Sequence, residues 1–335
     1  MPQLGALDGL RTMVNVVREV SLDELRQQAE LPPRLLVVAP ITEEARGLGR
    51  ALTGLEGEFT TIHRAVDEPI EQIGRVDAAI VWDPGRTGVV SRVTEALRFE
   101  SPPVPVLRYE GRGAFTEESI ASLRAELMKR NPDRAPAFGR ALPAFRAAAS
   151  RQVIDETAAA NAQFSLVSNI PALIPVIGNI AAAGADFVVL TKNQVMMLYK
   201  LAAISGRGLH DQRGILQEVL PVVGAGLVWR TVAREAAALM PFAAGTIPKV
   251  AIAFVGTIAV GRAAEFYYRT GLRPTRAQLD EFYQQGLERL RRLDMPGLRQ
   301  FLGREESHKA QPGAPHVTVV REDDPIRPID DGRLN

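Results

Sequence analysis

The side chains of this 335-residue chain that could do chemistry gather behind four short β-rich runs, RLLVVAP (34–40), FTTIHRA (59–65), AAIVWD (78–83) and VPVLRYE (104–110). In an open parallel sheet, ligands bind at the carboxyl ends of the strands, so the loops behind these runs are where a site would lie. Behind the first, a nucleoside-triphosphate site needs glycines for close backbone approach, a Lys for the terminal phosphates and a Ser or Thr for magnesium, spaced G-x-x-x-x-G-K-[ST]. The chain has APITEEARGLGRAL instead. Pro40 has no amide donor, and Glu43 and Glu44 put two negative charges in the first helical turn, where they suit the helix dipole and repel a phosphate. Gly47 and Gly49 come too late for a dinucleotide fingerprint.

The third run ends in WDPGRTG (82–88), where Asp83 could hold a metal and Gly85 and Gly88 could admit a ligand. Asp, Pro and Gly are also the residues of a tight turn. No carboxylate or His in the first loop matches Asp83 in the way a cation site would require, so we read a turn. Behind the fourth run, RYEGRGAFTEE offers Arg108, Glu110 and Arg112. Thr116 reads there as a helix N-cap, with Glu117 and Glu118 complementing the dipole. An enzyme with an unusual cofactor around Asp83 and Arg108 is the remaining catalytic reading.

Other chemistries find no constellation. His63, His210, His308 and His316 are scattered and lack metal-ligand spacing. There is no cysteine, which removes disulfides, thiolate zinc sites and cysteine nucleophiles together. No G-x-S-x-G elbow is present. The adjacent acids Glu305 and Glu306, Asp323 and Asp324, and Asp330 and Asp331 read as solvated charge. The expectation is a non-enzymatic protein with no catalytic residue, cofactor or metal. With 40 basic and 39 acidic side chains the net charge is +1, which provides no field for a polyanion and argues against nucleic acid as a partner. Hydrophobic residues make up 46%, enough to bury a core, and the length suits two domains with appended segments.

The elements that must position these residues follow from periodicity. Leu4, Leu7, Leu10, Met13, Val14, Val17 and Val20 draw one apolar stripe on an N-terminal helical arm, residues 1–30, with a second short helix starting at a Ser21–Glu24 capping box. From 31 to 133, the four runs alternate with helices expected near Thr42, Glu68, Val89 and after Thr116. Right-handed crossovers of this kind make a small doubly wound parallel sheet of about four strands. From 134 to 303 the composition turns to Ala, Leu, Val and Gly without alternation, which reads as all helical. Residues 304–335, with four prolines and few large apolar groups, read as a disordered tail. The fold class is therefore α/β followed by all-α.

Three apolar stretches in the helical part come near the length of a membrane span. Residues 157–185 hold 29 positions without a charge, interrupted by Asn161, Asn169, Asn179, Pro171 and Pro175. Residues 219–229 are short, and 236–261 carry one charge, Lys249, with Pro241 and Pro248. Runs of ~10 to 14 apolar residues are commonly buried or re-entrant. Gly224, Gly226, Gly245, Gly256 and Gly261 nevertheless suit close helix packing in lipid. Basic residues flank the first stretch on both sides, Arg151 before it and Lys192, Lys200 and Arg207 after it, so charge assigns no topology.

The block IPALIPVIGNIAAAGADFVVLTKNQVMMLYKLAAISGRG, followed by LPVVGAGLVWRTVAREAAALMPFAAGTIPKVAIAFVGTIAVGRAAEFYYRTG, resembles the YcjF-type domain of unknown function over residues 145–272. The parts that carry the resemblance are the Pro-rich apolar start, the polar step Thr191 to Gln194 leading into Met196 and Met197, and the Gly-Thr-x-Ala-x-Gly turn at 256–261. That family is often fused to, or encoded beside, small GTPases of the Era type, and some members are regarded as membrane proteins. The segment DAAIVWDPGRTGVVSRVTEALRFESPPVPVLRYEGRGAFTEESIASLRAEL is similar in layout to the later half of an Era-like G domain. It departs from that domain where function lies, because the phosphate loop is missing and RYEG stands where N-K-x-D reads guanine. The resemblance implies a degenerate GTPase-type domain joined to a membrane-associated scaffold or regulatory domain on the cytoplasmic side, with membrane lipid, a GTPase or a second copy as partner. The alternative is a soluble cytoplasmic homo-oligomer that buries its helical core.

Overall fold

The structure, a computed structural model, describes residues 22–70, 73–111, 115–167, 179–223 and 246–292. The apolar stripe of the arm, Ser21 and the tail from 304 lie outside the described residues. The chain up to Leu293 forms one compact unit, and the division falls at Asp294.

Helix α1 (Asp23–Glu30) starts behind Leu22, which provides no side-chain cap. The strands β1 (Leu35–Ala39), β2 (Thr61–Ala65), β3 (Ala78–Trp82) and β4 (Val106–Tyr109) form one sheet in the order β2-β1-β3-β4, parallel throughout. The two central strands, LLVVA and AAIVW, are buried along their whole length. Apolar runs without alternation belong in such a position, where both faces of the sheet are covered. On one face Leu36, Val38, Ala79 and Val81 pack with Val89, Val93 and Leu97 at helix α3 (Val89–Ala96). On the other, helix α2 (Thr42–Thr53) lies against β1 and β2 through buried Leu48 and Leu52.

The helix expected near Glu68 is not there. Among the described residues, the connection from β2 to β3 is turn and irregular chain. Pro69 cannot serve within a helix interior, and Gly74 takes a left-handed φ of 68°. The connection still carries apolar residues for the core, because Ile70, Ile73 and Val76 are buried under the sheet.

Helix α4 (Glu117–Arg130) begins as its sequence dictates. The Thr116 side chain accepts from the Ser119 backbone N–H, two glutamates fill the first turn and Lys129 and Arg130 the last. From α4, the half-buried Arg124 reaches across to α2, donating from Nε to the Leu52 carbonyl at 2.8 Å and from a terminal nitrogen to that of Ala51 at 2.8 Å. A guanidinium there satisfies the orphan carbonyls of a helix C-terminus and meets its negative dipole.

Helix α5 (Ala135–Ala141) leads into a bundle of α6 (Arg146–Val167), α7 (Asn179–Ile204), α8 (Gln212–Val223), α9 (Thr246–Thr270) and α10 (Arg276–Arg292). The directions follow from the contacts. Helices α6 and α9 run antiparallel, Asn161 meeting Thr257 while Ile154 lies against Gly261. Helix α7 is also antiparallel to α6, since Asn193 meets Asn161 and Ile204 packs with Ala149 around Gly139. The Tyr199 hydroxyl donates to the Gln212 carbonyl and closes the hairpin into α8.

The α/β layer meets the bundle at the start of α6 and the end of α7. Helix α4 packs on α6, Glu30 lies 3.7 Å from His210, and Arg140 donates to the Arg207 carbonyl. Val167, Asn179 and Thr246 therefore stand at the end of the bundle away from the sheet, whereas α8 stays near the other end, Glu218 meeting Arg207 and Tyr267.

Candidate functional site

At the start of α2, Ile41 is the N-cap and provides no side-chain hydrogen bond. Glu43 and Glu44 occupy the first turn, and Glu68 from the loop behind β2 closes over it, accepting from the Thr42 hydroxyl at 2.8 Å. Three carboxylates thus stand where a phosphate would bind the helix N-terminus. Oε2 of Glu44 is buried with no hydrogen-bond partner among the described residues. Gly47 and Gly49 serve packing. A Cβ at Gly47 would lie 3.1 Å from the Phe115 ring, and one at Gly49 would run into the His63 imidazole. Neither glycine faces a ligand loop.

Behind β3 and β4 opens a cleft of about 460 Å³, lined by Trp82, Asp83, Arg86, Arg108 and Glu110 among others. The structure thus brings together Asp83 and Arg108, which lie 25 positions apart in sequence. Asp83 is 5% exposed. Its Oδ1 accepts from the Thr87 backbone N–H at 2.9 Å and from the Thr87 hydroxyl at 3.0 Å, the turn expected from DPGRT. Its Oδ2 is buried with no hydrogen-bond partner. Burial pushes the carboxyl upward, but the N–H and hydroxyl of Thr87, the N–H of Val89 and the charge of Arg108 outweigh it and hold the pKa below the ordinary value. The group is therefore a carboxylate.

The wall of the cleft is aromatic and rigid. Trp82 donates from Nε1 to the Gly111 carbonyl at 3.1 Å, and the Tyr109 hydroxyl pairs with Ser119 Oγ at 3.1 Å. Phe115 packs on both rings, with centroids 5.5 Å and 5.7 Å away. Arg86 holds a left-handed φ of 50° at the rim, unusual for a side chain that cannot satisfy its own backbone. Arg112 lies outside the described residues. The roles of Glu68 and Arg86 were not legible beforehand, because one acts from another loop and the other through its backbone.

His63 lies in a second hollow, of about 250 Å³, beside Arg46, Arg50 and Glu58. Burial, then the charge of Arg46, pulls its pKa below the ordinary 6.5. His210 is exposed at the junction with α1. His308 and His316 lie outside the described residues. Among the described residues no group of three or more His, Asp or Glu is placed to hold a metal ion.

In the bundle, Asn161 and Thr257 are buried polar residues. Asn161 donates to Thr257 Oγ1 at 2.9 Å and accepts from Asn193 Nδ2 at 2.8 Å, which ties α6, α7 and α9 together. Val195, Met197, Leu198, Leu201 and Ala202 are buried and form a core face of α7, while Met196, which reads from the sequence as part of the same face, is half-buried. Residues 250–270 of α9 are long and apolar enough to cross a membrane, yet 67% of that stretch is buried inside the protein. An apolar stretch of this kind also describes the core helix of a bundle.

No protein-family model, curated protein or solved structure matches this chain.

Proposed function

We propose that this protein is a non-enzymatic scaffold or regulatory protein, with a GTPase-like α/β unit that cannot bind nucleotide and a helical bundle that associates with membrane. The observation that carries the first half is the start of α2, where Glu43, Glu44 and Glu68 surround the helix N-terminus and no phosphate loop precedes it. A bound phosphate would meet these carboxylates at the helix N-terminus behind the first strand, where backbone amides would otherwise receive it. The resemblance to YcjF-type domains names a GTPase, or a second copy of this chain, as the protein partner.

The membrane half rests on where apolar sequence is attached. Residues 168–178 contain no charge, and 224–245 combine Trp229, Leu239, Met240 and Phe242 with Arg230 and Arg234. The first segment runs between Val167 and Asn179 and the second leads into Thr246, helix ends that stand away from the sheet. Helix α9 is largely enclosed by its neighbours, so the reading is contact through the far end of the bundle on the cytoplasmic side. The burial of α9 also favours a second reading, a soluble homo-oligomer with a buried helical core.

Titration with labelled GTP, GDP, ATP and NADH tests the α/β half. We expect no binding at micromolar concentration, and micromolar affinity for any of the four overturns it. Flotation with vesicles containing anionic lipid tests the other half. Protein that stays wholly with the soluble fraction and is monodisperse without detergent selects the soluble reading.

A further inference from the structure

We propose that the cleft behind β3 and β4 is a binding site for a small zwitterion of the α-amino acid class, with the ammonium on Asp83 and the carboxylate on Arg108 and Arg86. A buried polar atom without a partner is costly, and one at the wall of a cleft finds its partner most simply in a ligand. Oδ2 of Asp83 is such an atom, on a side chain that is 5% exposed, while Oδ1 is already held by Thr87. Both Thr87 contacts use Oδ1, and Oδ2 has no partner on a residue that lines the cleft.

The chemistry of the lining selects the ligand. A carboxylate oxygen needs a donor, and a charged donor makes roughly twice the bond of a neutral one. Among the described residues neither Arg86 nor Arg108 forms an ion pair, although both line the cleft with Asp83. A bare cation would satisfy Asp83 and be repelled by the two guanidinium groups. A bare anion would satisfy these and be repelled by Asp83. Asp83 and Glu110 balance Arg86 and Arg108 in the lining, so a ligand with no net charge and both signs on substituents of one carbon fits throughout.

Shape agrees with charge. A cleft of about 460 Å³ is at the small end of ligand sites, which suits a molecule of amino acid size. The indole N–H of Trp82 and the hydroxyl of Tyr109 are both engaged within the protein, so these residues add an apolar wall for the side chain of the ligand. The site lies at the carboxyl ends of parallel strands, the place where open α/β sheets bind ligands, and it is separate from the acidic start of α2.

The test uses the full chain and a panel of the common free amino acids, read by calorimetry and by Trp fluorescence. We expect at least one to bind saturably, and binding to weaken about tenfold in Asp83→Asn, which keeps the shape and the Thr87 contacts and removes the charge. Arg108→Gln is expected to weaken it by a similar factor. The matching 2-hydroxy acid, without the ammonium, and the matching amine, without the carboxylate, are expected to bind at least tenfold more weakly than the amino acid. The proposal is overturned if no amino acid binds below 10 mM, about the affinity of an unspecific contact, or if Asp83→Asn binds unchanged while melting like the parent. Equal binding of the hydroxy acid overturns it too. Nucleotide titration reports on the start of α2 alone, so either reading can fail without the other.

Discussion

Asn161 shows how one buried amide can organise three helices. It is 1% exposed, and its amide group reaches Thr257 in one direction and Asn193 in the other. Replacing it with Ala removes the donor to Thr257, which keeps its bond to the Ala253 carbonyl, and the acceptor for the half-buried Asn193. We expect Asn161→Ala to lower stability by about 1–3 kcal/mol, measured as a fall in the midpoint of urea unfolding at unchanged slope. His63 makes a pH-dependent contribution of known sign. Its pKa in the folded protein is below 6.5, chiefly through burial and then through Arg46, so the unfolded chain takes up a proton more readily. Protonation thus favours unfolding, and the stability that His63 contributes is complete above pH 6.5 and lost as pH falls below that value. Unfolding midpoints compared at pH 7.5 and a pH about one unit below the ordinary His value should drop less in His63→Gln than in the parent.

Where two helices cross, a glycine marks the contact. Gly261 of α9 has Ile154 of α6 so close that an added Cβ would lie 2.7 Å from it. Gly261→Ala raises helix propensity by about 1 kcal/mol in isolation, but overpacking a crossing costs about 1–3 kcal/mol. A net loss of stability is expected. Removing the obstacle should recover part of it, so Ile154→Ala ought to be less harmful in the Gly261→Ala background than alone, a coupling that a double-mutant cycle measures. The strands and their order of appearance were legible because β1 and β3 are uninterrupted apolar runs bounded by Pro, Asp and Gly. The starts of α2, α3 and α4 were legible from Thr42, Val89 and the Thr116 cap. The alternation of strands and helices predicts a helix near Glu68, yet Ile70, Ile73 and Val76 cover the sheet from an irregular chain. Periodicity reports which side chains are buried, and Pro69 and Gly74 decide the backbone.

In the molecule as a whole, Asp77 and Arg134 hold together elements that the sequence separates widely. Arg134 pairs with Asp77 at 3.0 Å and donates to the carbonyls of Gln28 at 2.7 Å and Leu31 at 3.0 Å, while the other oxygen of Asp77 accepts from the Arg34 N–H at 2.8 Å. These contacts join α1, the start of β1, the start of β3 and the approach to the bundle. Hydrogen bonds to charged groups contribute about 1.5–3 kcal/mol, and several depend on one guanidinium here. Arg134→Ala is expected to cost at least that much, with faster amide exchange in α1 than in β3, because α1 loses two anchors and β3 keeps its strand neighbours.

The sequence alone determined the two-part architecture, the central strands, the absence of a phosphate-loop motif behind the first strand and the place of the apolar excess, since each depends on residues next to or a few turns from one another. Tertiary structure alone decided what those residues face. It put Glu68 over the start of α2, Arg124 on the last carbonyls of the same helix, and Thr257 on an asparagine 96 positions away. It also decided the two points on which the proposals rest. Helix α9 has the length and composition of a span, and only its neighbours show it to be mostly enclosed. Asp83 belongs to a turn by its letters, and only the packed loop shows one oxygen used and the other left buried beside Arg108. Local sequence specifies the charge and size of a side chain, whereas its partners come from strands and helices that meet it only when the chain has closed on itself.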